Sequence, residues 1–295
     1  MKERTIYALG FFDGVHRGHQ MLLSACRELA DAAGALAGVV TFTAHPDTLV
    51  LGKTPALINT PQDRKMLLKQ HHMDTVLELP FDRAMMAMPW QDFFRRLREN
   101  YGAAGFVCGE DFRFGYRGEG DSRKLREACA AEGIPCVVVP QQMLDGQVVS
   151  STYIRALLTE GKMAEAVRFL GHAHVLTGQV VSGKQLGRTI GIPTANLTLP
   201  EGVVCPKFGV YACKVVADGE ECLAVTNIGT RPTVNGENVT VEVHLLDFAG
   251  DLYGKSLTLS FYEFLRPEQK FASLEELQSE IRKNIGQTRK IFKKS

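Results

Sequence analysis

The chain is short of several things, and each shortage excludes something. Among 295 residues there is one tryptophan, aromatics reach only 8%, and the seven cysteines include no C-x-x-C pair. An odd count without paired spacing argues against a disulfide framework or a thiolate zinc site and leaves reduced core or surface thiols. Neither sign of charge prevails, with 34 Lys and Arg against 33 Asp and Glu and a formal net charge of +1. Non-specific nucleic-acid binding needs a basic face, so nucleic acid is not an expected partner. No uninterrupted apolar run has membrane-spanning length, and none follows Lys2-Glu3-Arg4 to form a signal peptide. A soluble, cytoplasmic protein with no membrane partner is the expectation. What is present is ordinary globular composition, 45% hydrophobic and 23% charged, in a chain long enough for two domains with separate cores.

The most informative stretch is Gly10-Phe11-Phe12-Asp13-Gly14-Val15-His16-Arg17-Gly18-His19. Before it, Thr5 to Leu9 reads as a short buried strand. After it, Leu22, Leu23, Cys26, Leu29 and Ala30 recur at helical spacing, so a helix starts near Gly18. A strand running through a glycine-bearing turn into a helix aims backbone N–H groups and the helix dipole at the turn, which favours an anion such as phosphate. Gly14 and Gly18 permit close approach of a ligand, and His16 and His19 can donate to phosphate oxygens. The stretch matches neither G-x-G-x-x-G nor G-x-x-x-x-G-K-[ST], so the two common nucleotide loops are excluded here. A bare H-x-G-H fits two surface histidines at a helix start equally well.

Strand and helix signals alternate through the first half. Leu36 to Phe42, Thr75 to Leu79, Phe106 to Cys108 and Cys136 to Val139 read as strands; Pro61 onward, Gln91 to Arg98 and Ser122 to Ala131 read as helices. Thr60 is the expected N-cap and Pro61 the first helical position. The alternation predicts a parallel sheet with helices on both faces, its ligand beyond the carboxyl ends of the strands. Two more turns fit that position. Gly109-Glu110-Asp111-Phe112-Arg113-Phe114-Gly115 is a loop that carries two phenylalanines. Ser150-Ser151-Thr152-Tyr153-Ile154-Arg155 opens a helix with hydroxyls at its cap and a cation in its first turn. Taken alone, the latter also fits an ordinary cap with a solvated arginine.

Together these three motifs, over residues 5 to 160, resemble the FMN adenylyltransferase module of the bacterial bifunctional riboflavin kinase/FAD synthetase family, a nucleotidylyltransferase. The resemblance implies a Rossmann-like domain over residues 1–171. Gly10, Phe12, Asp13, Gly14, His16, Gly18 and His19, with Ser151, Thr152 and Arg155, would bind ATP. Asp111 would lie near the nucleotide, and the turn at His45-Pro46 would help shape the site. Thr43-Ala44 and Tyr153 depart from the family's usual residues, which keeps open an enzyme whose kinase alone is active.

Past Gly171, which closes a short helix over Met163 to Leu170, the pattern changes to period two. His172 and His174 read as surface histidines at a linker. Val175 to Val181, Val210 to Val216, Cys222 to Asn227, Val239 to Leu246 and Leu257 to Phe264 are strand-like, with Asp218-Gly219 and Asn235-Gly236 as turns. Five or six strands in so short a span predict a small antiparallel, Greek-key-like barrel. A last helix begins with a capping box, Ser273 to Glu276, and has Leu274, Leu277, Ile281 and Ile285 as its apolar face. Gly183 to Leu197 is glycine-rich yet opens no helix, which fits a flap over phosphates or a flexible hairpin. Thr194 and Asn196 offer oxygens to a hard cation such as Mg²⁺. Val241 and Val243 face one way along a strand, so Glu242 and His244 share the other face. Alternation alone would make Glu242 a solvated strand residue.

Pro193-Thr194-Ala195-Asn196, Asn227 to Thr233, Glu242, Asp247-Phe248, Asp251 to Gly254, Phe264-Leu265-Arg266 and Lys270-Phe271 resemble the same family's riboflavin kinase module, which would cover residues 172–295. The resemblance implies Thr194 and Asn196 as holders of Mg²⁺ with the ATP phosphates, Gly183, Gly187, Arg188 and Gly191 as flap, and Asn227, Arg231 and Thr233 as a loop around the flavin. Glu242 would be the general base. Ile192 and Asn284 depart from the usual residues and are expected to lie away from the chemistry. The implied activity is phosphorylation of riboflavin by ATP to FMN, then adenylylation of FMN to FAD, in a monomer or weak homo-oligomer. A flavin-binding regulator without turnover is the rival of a different class.

Overall fold

The computed structural model describes residues 3–181, 191–217, 219–233 and 236–293. Its chain divides into two compact units, Met1–Leu57 with Pro61–Ser151, and Ile58–Thr60 with Thr152–Ser295.

In the first unit, β1 (Thr5–Leu9), β2 (Leu36–Phe42), β3 (Thr75–Leu79), β4 (Ala103–Gly109) and β7 (Cys136–Val139) form a parallel sheet in the order β3-β2-β1-β4-β7. Every residue of β1 is buried, as a central strand covered on both faces requires. Between β4 and β7, β5 (Arg113–Phe114) and β6 (Gly120–Asp121) pair as a small antiparallel hairpin. Its Phe114 packs in the core against Trp90, Phe93 and Phe112. The helices are α1 (Arg17–Ala33), α2 (Asp47–Val50), α3 (Pro61–Gln70), α4 (Arg83–Met86), α5 (Trp90–Tyr101) and α6 (Ser122–Ala131). Tyr7 and Leu9 share a cluster with Phe93, Phe94 and Leu97 of α5 and Leu125 and Cys129 of α6. The strand period turns Ile6 and Ala8 to the opposite face, where the Cys26 thiol of α1 donates to the Ile6 carbonyl at 3.2 Å. The chain lays β2 and β3 on one side of β1 and returns to place β4 on the other. Strand order therefore reverses between β1 and β4, and a crevice opens beyond their carboxyl ends.

The second unit carries α7 (Ser151–Glu160, its first residue counted with the first unit), α8 (Met163–Leu170) and a closed antiparallel barrel. Its strands β10 (His174–Val181), β11 (Ala195–Thr198), β12 (Gly209–Ala217), β13 (Glu220–Thr233), β14 (Gly236–Leu245) and β15 (Ser256–Arg266) close in the order β10-β11-β14-β13-β12-β15. A two-residue hairpin, β8 (Met143–Leu144) with β9 (Gln147–Val148), precedes α7 in the first unit. The last helix, α9 (Leu274–Lys293), packs on β12 and β13. Half of the expected box is made: the Ser273 hydroxyl accepts from Glu276 N at 3.2 Å, while the Glu276 carboxylate accepts from Ala272 N, one residue before the cap, at 3.0 Å.

The fold is thus α/β followed by all-β, as the periodicities predict, with three corrections. His174 is no surface residue: it begins β10, is 1% exposed and packs against the Phe261 ring. Leu274 is half exposed, and the buried positions of α9 are polar, Asn284 and Thr288. Asn284 and Ile192 line a cavity, described below, that they were expected to avoid. All seven cysteines are free thiols.

Candidate functional site

Two clefts open at the carboxyl edge of the parallel sheet, and the Gly10–His19 stretch lies against both. Phe12 (φ 60) and Val15 (φ 39) are left-handed although neither is glycine, and Gly14 (φ 81) joins them. Such a turn persists only where its surroundings hold it. Here the Phe12 side chain is wholly buried, the Thr41 hydroxyl donates to the Phe11 carbonyl at 2.9 Å, and the Ser151 hydroxyl donates to the Asp13 carbonyl at 2.9 Å.

The turn delivers His16 as N-cap of α1, its Nδ1 accepting from His19 N at 3.3 Å. Nδ1 being the acceptor, the neutral ring carries its proton on Nε2. The two imidazoles stack, with centroids 3.6 Å apart and planes 12° from parallel. Burial, the adjacent His16 ring and the Arg64 guanidinium hold His19 neutral, its pKa well below the ordinary histidine value. A Cβ at Gly18 would lie 3.3 Å from the His16 ring, a tight contact that the imidazole would have to yield to. His16, Gly18 and His19 line a cleft of about 260 Å³ with Asp111, Ser150 and Ser151. Asp111 is tied across it by Gln141 Nε2, which donates to its carboxylate at 3.3 Å.

The second cleft is larger, about 860 Å³, and apolar. Its walls come from the ends of β1 and β2 (Leu9, Gly10, Phe11, Phe42), from Leu49, Val50, Phe81, Met85 and Met86, and from residues 111–118. Asp111 lines both clefts. A volume in the range typical of small-molecule sites, walled by aromatics and methionines, suits a flat hydrophobic ring system.

In the barrel unit, register brings the predicted residues together. Asn196 pairs with Glu242 across β11 and β14, and Glu242 pairs with Asn227 across β14 and β13. Cross-strand partners share a face, so the three side chains form one row on the barrel wall. Val241 and Val243 are buried on the opposite face. Glu242 and Asn227 of that row line a cleft of about 280 Å³ together with Ile192, Thr194, His244 and Arg266 and with Leu277, Ile281 and Asn284 of α9. His244 Nδ1 lies 2.8 Å from the Pro193 carbonyl, fixing the chain just before Thr194. Arg266 donates from Nε to Asn284 Oδ1 at 3.1 Å and lies 3.7 Å from Glu280. Burial lowers its pKa, with Glu280 and Glu268 acting against that shift. Asn227 Nδ2 donates to Glu268 at 3.3 Å, and the Glu268 carboxylate fills the space where a Cβ on Gly229 would lie. Asn196 Oδ1 is buried without a hydrogen-bond partner.

Comparison with known proteins decides what these clefts belong to. The family profile described as FAD synthetase matches residues 1–153, and that described as riboflavin kinase matches residues 170–292. The bifunctional riboflavin kinase/FMN adenylyltransferase of Escherichia coli K12 is 39% identical over 295 residues, covering 99% of this chain and 94% of its own. That of Pseudomonas fluorescens is 37% identical over 286 residues, covering 96% and 92%. The chain belongs to the bifunctional riboflavin kinase/FMN adenylyltransferase family. Like the family's members, it is an enzyme that phosphorylates riboflavin with ATP to FMN and adenylylates FMN with ATP to FAD and pyrophosphate. A crystal structure described as a macrolide-efflux protein from Streptococcus pneumoniae superposes with a TM-score of 0.89 at 29% identity, covering 98% of this chain and 95% of that one. Among the described residues here, no helix is long and apolar enough to cross a membrane.

Against that family, His16, Gly18, His19, Asp111 and Ser151 line the smaller cleft of the first unit, whereas Gly10 lines the apolar one. Asp13, Gly14 and Phe12 are buried beneath the turn. Thr152 and Arg155 follow on α7, inside the second unit. Tyr153, the departure from the family's residue, spends its hydroxyl on Glu165 at 2.8 Å and its ring on Phe169. Thr194, Asn196, Asn227 and Glu242 are brought together, and Gly191 (φ 68) precedes them. Gly183, Gly187 and Arg188 lie outside the described residues, as do the side chains of Arg231 and Thr233. The motifs missed the apolar cleft, Arg64 and Glu268. A signal for the cleft was available: Leu49, Val50 and Leu51 form an apolar run in a short segment that otherwise reads as loop.

Proposed function

We propose that the two activities sit on separate modules: FMN adenylyltransferase on residues 1–171 and riboflavin kinase on residues 172–295. In the first, the ATP triphosphate lies in the small cleft against His16, His19, Ser151 and the α1 N-terminus. The isoalloxazine ring lies in the apolar cleft, and Asp111 stands where the two clefts meet. An oxygen of the FMN phosphate attacks the α-phosphorus of ATP, the bond to the β-phosphate oxygen breaks, and pyrophosphate leaves. No proton acceptor is needed for a phosphate nucleophile, so the site's work is to position reactants and neutralise charge.

In the second module, the riboflavin 5′-hydroxyl gives its proton to Glu242 as its oxygen attacks the γ-phosphorus, and ADP leaves. The cross-strand row Asn196–Glu242–Asn227, of which Glu242 and Asn227 line the cleft beside Thr194, is the observation that carries this assignment. The Thr194 hydroxyl and the Asn196 amide oxygen suit Mg²⁺, which takes few protein ligands beside phosphates and water. An unpartnered, buried Asn196 Oδ1 is what such a donor set leaves in the free protein. When bound, the ion would supply neutralising charge at the ATP phosphates. Gly191 lies beside those phosphates, and Asn227 borders the flavin. The protein acts in the cytoplasm, on small molecules, as a monomer or weak homo-oligomer.

Product chromatography tests the scheme. With riboflavin, ATP and Mg²⁺, wild type yields FMN and then FAD, and Glu242→Gln loses about 10²- to 10⁴-fold in FMN formation while still converting supplied FMN to FAD. Undiminished FMN formation by Glu242→Gln would remove Glu242 from the role of base.

A further inference from the structure

Arg64 belongs to no motif read from the sequence, yet it is the largest of the fully buried side chains, 2% exposed. A buried guanidinium is costly unless its donors find acceptors. Nη1 donates to the Phe11 carbonyl at 3.2 Å, Nη2 donates to the Phe42 carbonyl at 3.0 Å, and the guanidinium carbon lies 4.3 Å from the centroid of the Phe11 ring. Burial lowers its pKa, opposed by Asp13 and Glu78, and the group remains a cation at neutral pH. Both acceptors are main-chain oxygens where β1 and β2 run out. Phe11 is held twice: its carbonyl belongs to the turn that leads to His16 and His19, while its ring lines the apolar cleft and meets the His45 ring edge-on at 4.6 Å. The next residue is the left-handed Phe12.

We propose that Arg64 is a positioning residue for adenylyl transfer, clamping Phe11 by carbonyl and ring so that the histidine turn and the apolar cleft stay in register. The inference rests on placing ATP in the small cleft and the flavin in the large one. Because one clamp serves both walls, losing it weakens the use of ATP and FMN together, which a residue bordering one substrate would not do.

The test is adenylyl-transfer kinetics of full-length Arg64→Met, Arg64→Lys and Phe11→Leu, varying ATP and FMN in turn. Arg64→Met should raise KM for both substrates about tenfold, with kcat changed less. Arg64→Lys, which keeps a cation and a donor, should raise both KM values by less. Phe11→Leu, which leaves the cation in place, should likewise raise both, and with Arg64→Lys it decides the matter if the methionine variant does not fold. Both KM values within about twofold of wild type in every folded variant would overturn the inference, as would a rise for one substrate only. His19→Ala separates the two levels. If it leaves KM for ATP unchanged, the placement of ATP falls; if it abolishes ATP use while the Arg64 variants keep both KM values, the clamp alone falls.

Discussion

Single side chains set two properties that can be measured directly. His174 is buried against Phe261 with Nδ1 unpartnered, and burial, with His172 nearby, pushes its pKa down to about 3. In the unfolded chain it binds a proton below about pH 6.5. Between those values the unfolded state therefore holds the extra proton, and stability falls as pH falls. The contribution is fully present above about pH 6.5 and is lost toward pH 3, at about 1.4 kcal/mol per unit. Replacing His174 with leucine should flatten the decline of the thermal midpoint between about pH 6.5 and pH 4; an unchanged slope would mean that other groups set it. His174 also shows where reading by residue type fails. H-A-H beside a glycine looks like linker, and only the barrel's closure, which seats this residue under Phe261, reverses that reading.

Elements show the same division between local and non-local signals. The strands of the sheet were legible to the residue at β1, β2, β3 and β7, because buried parallel strands are short apolar runs bounded by turn residues. The α9 cap was legible because it is written in four consecutive residues. Its buried face was not: Asn284 is selected by Arg266, eighteen positions away, and no helical period reports a partner on another strand. Glu268 escaped notice for the same reason, since its meaning lies in Gly229 and Asn227 on β13. Two predictions belong here. Gly38 lies on β2, where a Cβ would come within 2.7 Å of the Thr5 and Tyr7 side chains on β1 and 2.8 Å of Thr75 on β3. Gly38→Ala should cost about 1–3 kcal/mol by overpacking, read from urea unfolding. Ser273→Ala removes the acceptor for Glu276 N and should cost α9 about 1 kcal/mol, visible as faster amide exchange in its first turn.

At the scale of the whole molecule, the change from alternating strands and helices to period-two strands announced two architectures, and the family assignment gives each its chemistry. The candidate residues were legible where a motif is contiguous, as in Gly10–His19, whereas Asn196, Glu242 and Asn227 were singled out by the family resemblance and aligned only by the barrel's register. The apolar cleft was signalled only by the apolar run at Leu49 to Leu51, because its walls are drawn from the ends of separate strands and the segments after them. With one activity assigned to each module, crippled partners should complement each other. Glu242→Gln lacks FMN synthesis and His19→Ala lacks adenylyl transfer, so neither alone should carry riboflavin to FAD. Mixed in one vessel they should do so, with FMN accumulating first. Failure of the mixture, when each variant retains its remaining activity, would mean that FMN does not leave one protein molecule to reach another.

The polar residues buried under α9 have a consequence for the cleft that it borders. A helix seated on leucines separates from its barrel only by exposing oil to water, but Asn284 and Thr288 can trade their contacts for solvent at small expense. The wall formed by Leu277, Ile281 and Asn284 therefore rests partly on a polar seam, so the amides of α9 should exchange faster than those of the barrel strands beneath it.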